Sequence, residues 1–440
     1  MSIPGDLRLA VIVPAYNAGA LLQSSLSALR QGDRQPDELI VVDDGSTDKT
    51  REIAGRFGAT VLSTGGRRGP GYGRNLGARE ASSDILLFLD ADVCVHADTL
   101  ARVVEVFRGN EDLHALIGSY DDHPACPRFL SLYRNLMHHY VHQSSAREAT
   151  TFWSGCGAIR RSTFLDIGGF DASYGRPAIE DIEFGYRLHA RKFRIALCPE
   201  IQVQHLKSWG VTTMIRTDIL DRGIPWTMLI LRSGRMPNDL NLKWSQRLSV
   251  AIVGLCILLA AAATIAHGGR FLRPLAGILL LVMGSFWVTE IAGRGTRLLT
   301  IALVVSLFSF GVLCAIDGQY YKLTLVLAGY AFLFLREWLT RGRLAWKRAL
   351  GLAYGVYLAV AVSYIVLQLP NTRVLYSLAF LLIVVVALNL RFYAFLFSHL
   401  GSLWGLATIP FHLLYHAYNG VSFVLGAIQH YWHRIRVRSA

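Results

Sequence analysis

Asp84-Ile85-Leu86-Leu87-Phe88-Leu89-Asp90-Ala91-Asp92-Val93 is the stretch whose reading decides the fold. Five apolar residues in a row describe a strand buried on both faces, as in a parallel sheet. The run then stops at two carboxylates one residue apart. Where such a strand unwinds at its carboxyl end, both acids can turn toward one point, and that edge of an open α/β sheet is where ligands bind. Two carboxylates fill a core poorly and hold a divalent cation well. A solvated acidic loop would read the same way, so the pair needs support from the rest of the chain.

Toward the amino terminus, Leu9 to Val13 reads as a first strand, closed by Pro14-Ala15-Tyr16-Asn17. A helix is expected over Leu21–Leu29, with Leu21, Leu22, Leu26 and Leu29 on one face. Glu38 to Val42 is a second strand, ended by Asp43-Asp44-Gly45-Ser46-Thr47-Asp48, where a capped helix through Arg51 to Phe57 begins. A short third strand spans 60–62. Glycines at 65, 66, 69, 71 and 73 then punctuate a basic loop that leads into a helix expected to begin near Asn75. Repeated βα units predict an α/β fold with a doubly wound, mostly parallel sheet. The polar clusters ending strands one, two and four all fall on its carboxyl edge.

Composition divides the chain. Of 440 residues 52% are apolar, but up to about Gln246 the sequence looks like a soluble α/β protein, and apolar runs follow one another beyond it. The net charge of +13 sits largely in short Lys and Arg clusters flanking those runs, where membrane proteins keep it, so nucleic acid is not expected as a partner. Six scattered cysteines show no Cys-x-x-Cys spacing and indicate neither a zinc site nor a disulfide framework. A strand within the first ten residues leaves no room for a signal peptide ahead of it.

Four motifs carry a resemblance. Residues 11–17 (Val-Ile-Val-Pro-Ala-Tyr-Asn), 41–48 (Val-Val-Asp-Asp-Gly-Ser-Thr-Asp), 73–78 (Gly-Arg-Asn-Leu-Gly-Ala) and 89–92 (Leu-Asp-Ala-Asp) resemble the successive signatures of family 2 glycosyltransferases. Residues 155–161, 168–171 and 180–187 resemble that family's acceptor-side signatures, and the likeness covers about the first 210 residues in order. It implies a GT-A-type domain using a nucleotide-sugar donor and a divalent cation, Mg2+ or Mn2+. Asp92, helped by Asp90, would hold the cation, with Asp90 nearer the sugar or ribose. Pro14 and Tyr16 would wall the base, Asp44 would accept from a base N–H, and Asp43 would lie beside it. The alternative for Asp44 is a plain turn or helix-cap residue. Arg74 would approach base or diphosphate, or simply pair with Asp43 or Asp44. By resemblance Asp181 is the general base, although Glu180, Asp181 and Glu183 also suit the first turn of a helix.

The polymerising members' Gln-x-x-Arg-Trp signature is replaced by Gln202-Val203-Gln204-His205-Leu206-Lys207-Ser208-Trp209. His205 stands where relatives place a metal ligand or diphosphate contact, or is structural, and Trp209 could stack on a sugar. The departure favours transfer of one or a few sugars over a polysaccharide synthase that exports its product, which remains the alternative. A catalytically dead binding module does not fit, because all the expected carboxylates are present. Residues 1–221 are expected to form a cytoplasmic glycosyltransferase domain.

Residues 222–247, with Arg222, Trp226, Arg232 and Arg235, are expected to form an amphipathic segment lying in the bilayer interface, or packed on the first domain. Residues 248–440 are expected to be an all-α transmembrane region of six or seven spans. The runs are 248–268, 274–292, 298–316, 349–369 and 374–390, a short one at Leu323–Leu335, and Leu400–Ile428 preceded by an interfacial 391–397. With the first domain cytoplasmic, most Lys and Arg between runs fall inside, which predicts an enzyme integral to the inner membrane, in contact with membrane lipids and acting on a lipid-linked or saccharide acceptor.

Overall fold

The computed structural model describes residues 7–267, 320–339 and 372–438, with isolated helical positions between 277 and 361. The chain divides into two compact units, one containing residues up to Trp244 together with 421–440, the other residues 245–420.

The first unit is built on an eight-stranded mixed sheet. Its strands are β1 (Leu9–Ala15), β2 (Glu38–Asp43), β3 (Thr60–Ser63), β4 (Ile85–Leu89), β5 (Val93–Val95), β6 (Ala115–Tyr120), β7 (Cys156–Arg160) and β8 (Ile195–His205), in the order β3-β2-β1-β4-β7-β6-β8-β5. The four strands β3, β2, β1 and β4 are mutually parallel, and β6 is parallel to β8. β7 runs antiparallel between β4 and β6, and β5 antiparallel to β8. Within Asp84–Val93, Ile85–Leu89 forms β4 with all five residues buried, and Val93 begins β5.

Burial on both faces follows from the alternation of side chains. Leu9, Val11, Val13, Ile85, Leu87 and Leu89 feed one core, and Ala10, Ile12, Leu86 and Phe88 feed the other. The first is covered by α1 (Gly19–Gln31), α2 (Thr50–Arg56), and α4 (Thr99–Arg108); the second carries an aromatic cluster in which Phe88 meets Phe152, Phe164 and Phe170. The helix expected near Asn75 starts earlier, as α3 (Pro70–Glu80), because Pro70 at its first turn is already set for helix and Gly69, at φ +86°, makes the entry turn. The remaining helices of this part are α5 (Phe129–Gln143), α6 (Arg161–Asp166), α7 (Glu180–Ala190), α8 (Val211–Arg216) and α9 (Ile224–Ser233). A π-helical segment, Thr217–Gly223, joins α8 to α9.

α9 covers the first part of the segment expected from residue 222 onward, and Met236–Arg247 does not continue it as helix. Gly234 adopts a left-handed conformation and stops the helix, its N–H bonding Ile230 at 2.9 Å. The chain then returns to the sheet. Leu240 is buried in the second core, and Asp239 accepts hydrogen bonds from Thr150 N and Oγ1 at 2.9 and 2.6 Å.

In the second unit, α10 (Trp244–His267) is followed among the described residues by helices Tyr320–Leu339 and Thr372–Leu388. The first of these takes in Tyr320, Tyr321 and Trp338, so the short run at Leu323–Leu335 is lengthened at both ends. The expected spans at 274–292, 298–316 and 349–369 lie essentially outside the described residues. Residues 391–397 and 400–428 prove to be one helical element, Leu390–Arg438, broken only by non-helical Gly401. Among the described residues Trp244–Ile265 and Leu390–Arg436 are long and apolar enough to cross a membrane; Tyr320–Leu333 and Tyr376–Leu388 are apolar but shorter.

Candidate active site

A cavity of about 450 Å3 opens at the carboxyl edge of the parallel strands. Pro14, Tyr16, Asp44, Arg74, Asp90, Asp92, Asp181 and His205 all line it. Eight of the nine residues singled out in the sequence therefore meet in one place. Asp43 is the exception. It is fully buried, pairs with Arg51 Nε at 2.5 Å and accepts from Ser46 N at 3.0 Å, so it braces the turn after β2 and is not a lining residue. Those contacts hold its carboxyl below the usual range against the opposing effect of burial.

Asp44 does a second structural job. Its Oδ1 accepts from Thr64 Oγ1 and Arg68 N at 2.9 and 2.8 Å, and its Oδ2 from Gly69 N at 2.9 Å. Both oxygens thus organise the glycine-rich loop that forms one lip of the cavity. On that lip the Arg67 guanidinium lies over the Tyr16 ring, 4.1 Å from its centroid. Gly69 is where the lip meets the loop before α7, since a Cβ there would come 2.7 Å from Gly175 C and Tyr174 O.

Arg74, buried on α3, donates to Asp90 Oδ1 at 2.6 Å and to Glu180 Oε1 at 3.0 Å. It pairs with neither Asp43 nor Asp44. It links the end of β4 to the start of α7, and its carboxylate partners hold its charge firmly in spite of burial. The two acids of Asp90-Ala91-Asp92 therefore part company. Asp92 Oδ2 faces His205 Nε2 at 3.6 Å, a pairing set by the antiparallel register of β5 and β8 that places Val93 opposite His205. The Tyr120 ring stacks on His205 at 4.3 Å and fixes the imidazole plane. Burial pushes the Asp92 carboxyl up, but His205 and Lys207 outweigh it and hold the group below its ordinary range.

Asp181 sits across the cavity in the first turn of α7. Ser154 N and Oγ each donate to its Oδ2 at 3.2 Å, and Ile182 N to its Oδ1 at 2.8 Å. Burial and the adjacent Glu180 charge raise its carboxyl to about 6, against the opposing pull of Arg74. A carboxylate poised there can take a proton near neutral pH.

Among the described residues no three His, Cys, Asp or Glu side chains gather as a preformed metal cage. The donor set at Asp92 and His205 nonetheless suits a divalent ion that takes its remaining oxygens from substrate phosphates and water, as Mg2+ commonly does.

Residues 10–168 match the family model described as Glycosyl transferase family 2. They are a family 2 glycosyltransferase domain. The chain is 28% identical over 237 residues to a validoxylamine A glucosyltransferase of Streptomyces hygroscopicus subsp. limoneus, covering 46% of this chain and 51% of that protein. It is 27% identical over 213 residues to the O-antigen chain rhamnosyltransferase RfbN of Salmonella typhimurium (45% and 66% covered). It is 25% identical over 201 residues to the poly-beta-1,6-N-acetyl-D-glucosamine synthase of Staphylococcus aureus strain COL (43% and 47% covered). The chain thus spans about half the length of the first of these relatives. Among solved structures, the mannosyltransferase PcManGT of Pyrobaculum calidifontis in complex with GDP-Man and Mn2+ superposes with a TM-score of 0.43 at 18% identity, covering 82% of this chain and 88% of that one.

The cavity of the glycosyltransferase domain has a wall that the motifs do not mark. Arg134, Asn135, His138 and His142 line it from a single face of α5, and Trp153, Arg222 and Trp226 complete it. The spacing 134, 138, 142 is helical and was readable, but it reports a shared face and not what the face looks onto. Burial holds His138 well below its ordinary range and His142 at about 4, so both are neutral at physiological pH.

Proposed function

We propose that the protein transfers a sugar, with inversion, from a nucleotide-sugar donor to a lipid-linked acceptor at the cytoplasmic face of the cell's inner membrane. The observation that carries this reading is the placement of Asp181, with its raised carboxyl, across one cavity from the Asp92–His205 pair, within a domain of this family. Pro14 and Tyr16 wall the base, and Asp44 acts on the donor by shaping the lip formed by Arg67 to Gly69. Arg74 fixes Asp90 toward the sugar. Asp92 and His205 would hold a divalent cation, which when bound would supply positive charge against the departing diphosphate. Asp181 takes the proton of the acceptor hydroxyl as its oxygen bonds to the anomeric carbon and the bond to the diphosphate breaks.

Membrane attachment is supported by the two spanning-length helices and by the Lys and Arg clusters that flank the apolar runs. The likeness to a polysaccharide synthase favours a second reading, repeated transfer onto a growing chain. Purified full-length protein in detergent, screened with UDP-, GDP- and dTDP-sugars with and without Mg2+ or Mn2+, decides the matter. We expect cation-dependent donor turnover and a product extractable into organic solvent. Turnover undiminished by excess chelator would remove the cation from the scheme, and no turnover or binding of any donor would sink the reading.

A further inference from the structure

The cations around the cavity are mostly spoken for. Arg74 is neutralised by Asp90 and Glu180, Arg134 by Asp218 through a buried two-point pair at 2.5 and 2.9 Å, and Arg176 by Asp221 at 2.9 Å. Lys207 lies over the Trp209 ring and helps keep Asp92 ionised. Arg222 differs. It lines the cavity half-buried, and among the described residues its side chain meets no carboxylate, hydrogen-bond acceptor or aromatic face. The Asp181 charge acts on it from beyond ion-pair distance, and a partly desolvated guanidinium that forms no ion pair is costly unless a ligand supplies a partner.

The backbone under Arg222 is built to hold it there. It lies in the π-helical segment Thr217–Gly223, a form rare in proteins and concentrated at functional sites. Two flanking acids of the same segment, Asp218 and Asp221, are tied to Arg134 and Arg176. Gly223 packs so tightly that a Cβ would come 2.5 Å from Ser422 Cβ. One turn further on, Trp226 lines the same cavity with its indole N–H donated to Tyr186 Oη at 3.2 Å, a fixed ring of the kind on which sugars stack. Arg222 also favours the ionised form of Asp181 and opposes protonation of His138, which puts its charge on the side of the proposed base.

We propose that Arg222 anchors a phosphate on the acceptor, so that the substrate class is a glycosyl phosphate or diphosphate whose free hydroxyl lies at Asp181 while its phosphate lies at Arg222. This rests on the glycosyltransferase reading above and narrows it. Arginine's planar fork matches phosphate oxygens in pairs, and Trp226 supplies the surface for the intervening sugar. The phosphate could belong to a lipid-linked diphosphate sugar or to a soluble sugar phosphate, and the chemistry at Arg222 is the same for both.

The test uses full-length protein in detergent with the nucleotide-sugar it turns over, and offers each acceptor sugar in four forms: the glycosyl 1-phosphate, the polyprenyl-diphosphate-linked sugar, the neutral methyl glycoside and the corresponding uronate. We expect one or both phosphate forms to exceed the methyl glycoside at least tenfold in kcat/KM, the stronger of the two naming the source. Arg222→Gln should raise the KM for the phosphate acceptor on the order of 10–100-fold, as the loss of a charge-assisted hydrogen bond does, with Arg222→Lys recovering much of it. Equal use of the methyl glycoside, or preference for the uronate, overturns the assignment. So does an Arg222→Gln variant whose KM rises for the donor and not for the acceptor, because Arg222 then serves the leaving diphosphate. If the wild type binds no nucleoside diphosphate and turns over no donor, the glycosyltransferase reading fails first and this inference with it.

Discussion

Replacing Asp181 by Asn should make the protein more stable and nearly inactive, and the gain in stability should depend on pH. The folded carboxyl titrates at about 6 against an ordinary 3.8, because burial and Glu180 disfavour its charge. A raised carboxylate means that the folded state holds its proton longer than the unfolded chain does. Between about pH 4 and pH 6 the unfolded chain releases the proton first, so native stability falls as pH rises, and the loss is complete above 6. Two pH units correspond to roughly 3 kcal/mol at most, and Asp181 is only partly buried, so about 1–3 kcal/mol is a fair expectation. Asn keeps the shape and can still accept from Ser154, but carries no charge to desolvate.

Thermal unfolding of wild type and Asp181→Asn at pH 3.5, 6 and 8 measures this directly. The two should melt together at pH 3.5, and the variant should melt higher at pH 8 by a few degrees per kcal/mol, as expected for a domain of some 200 residues. Turnover should fall about 10²–10⁴-fold at pH 8, with donor affinity retained. Wild-type kcat/KM should show an acid limb near pH 6 that the variant's residual rate lacks. A difference in melting temperature that does not change between pH 3.5 and 8 would refute the electrostatic argument. Loss of donor binding in parallel with turnover would refute the role.

Three further outcomes are expected. Asp92→Asn removes the charged oxygen facing His205, and transfer should drop about 10²–10³-fold with the melting temperature little changed; full activity in this variant would dismiss the proposed cation site. Gly69→Ala places a side chain at φ +86°, ψ 161°, a region nearly restricted to glycine, and drives its Cβ toward Gly175, so it should cost at least about 1–3 kcal/mol in thermal unfolding and raise the donor KM. Product analysis by mass spectrometry should find one or very few sugars added per acceptor, and long polymer formed from donor alone would favour the synthase.

The parallel half of the sheet, β1 to β4, was legible because short apolar runs bounded by turn residues fit strands buried on both faces, whereas the β5 to β8 half, with its antiparallel β5 and β7, was not read from the sequence. Five apolar residues in β4, with β1 and β2 of similar composition, announce parallel strands, and polar clusters directly after them announce the edge where a ligand sits. The wall formed by α5 left no such mark. Arg134, His138 and His142 face the cavity only because Asp218, Tyr120 and Trp153, distant in sequence, pack around that helix. The return of Leu240 to the core was hidden for a related reason. Residues 236–247 carry apolar side chains at spacings that suit a helix, and the left-handed turn at Gly234 overrides them.

The adjacent acids show where a motif stops being informative. Asp43 and Asp44 are neighbours on a strand end, so their side chains point to opposite sides, and only one of them can face the cavity. Asp43 turns away to Arg51, while Asp44 lines the cavity with both oxygens already accepting from the lip. Asp90 and Asp92 are separated by one residue and stay on the cavity side together, yet their partners come from different places in the chain. Arg74 of α3 claims Asp90, and His205 at the end of β8 claims Asp92. Spacing therefore determines which acids share the site, and long-range partners determine the charge each presents there. Arg74 is the joint between those two levels. By binding Asp90 and Glu180 at once it sets the distance between the end of β4 and the helix that carries Asp181, so Arg74→Lys, which keeps the charge but cannot bridge two carboxylates in the same plane, should disturb both halves of the site together.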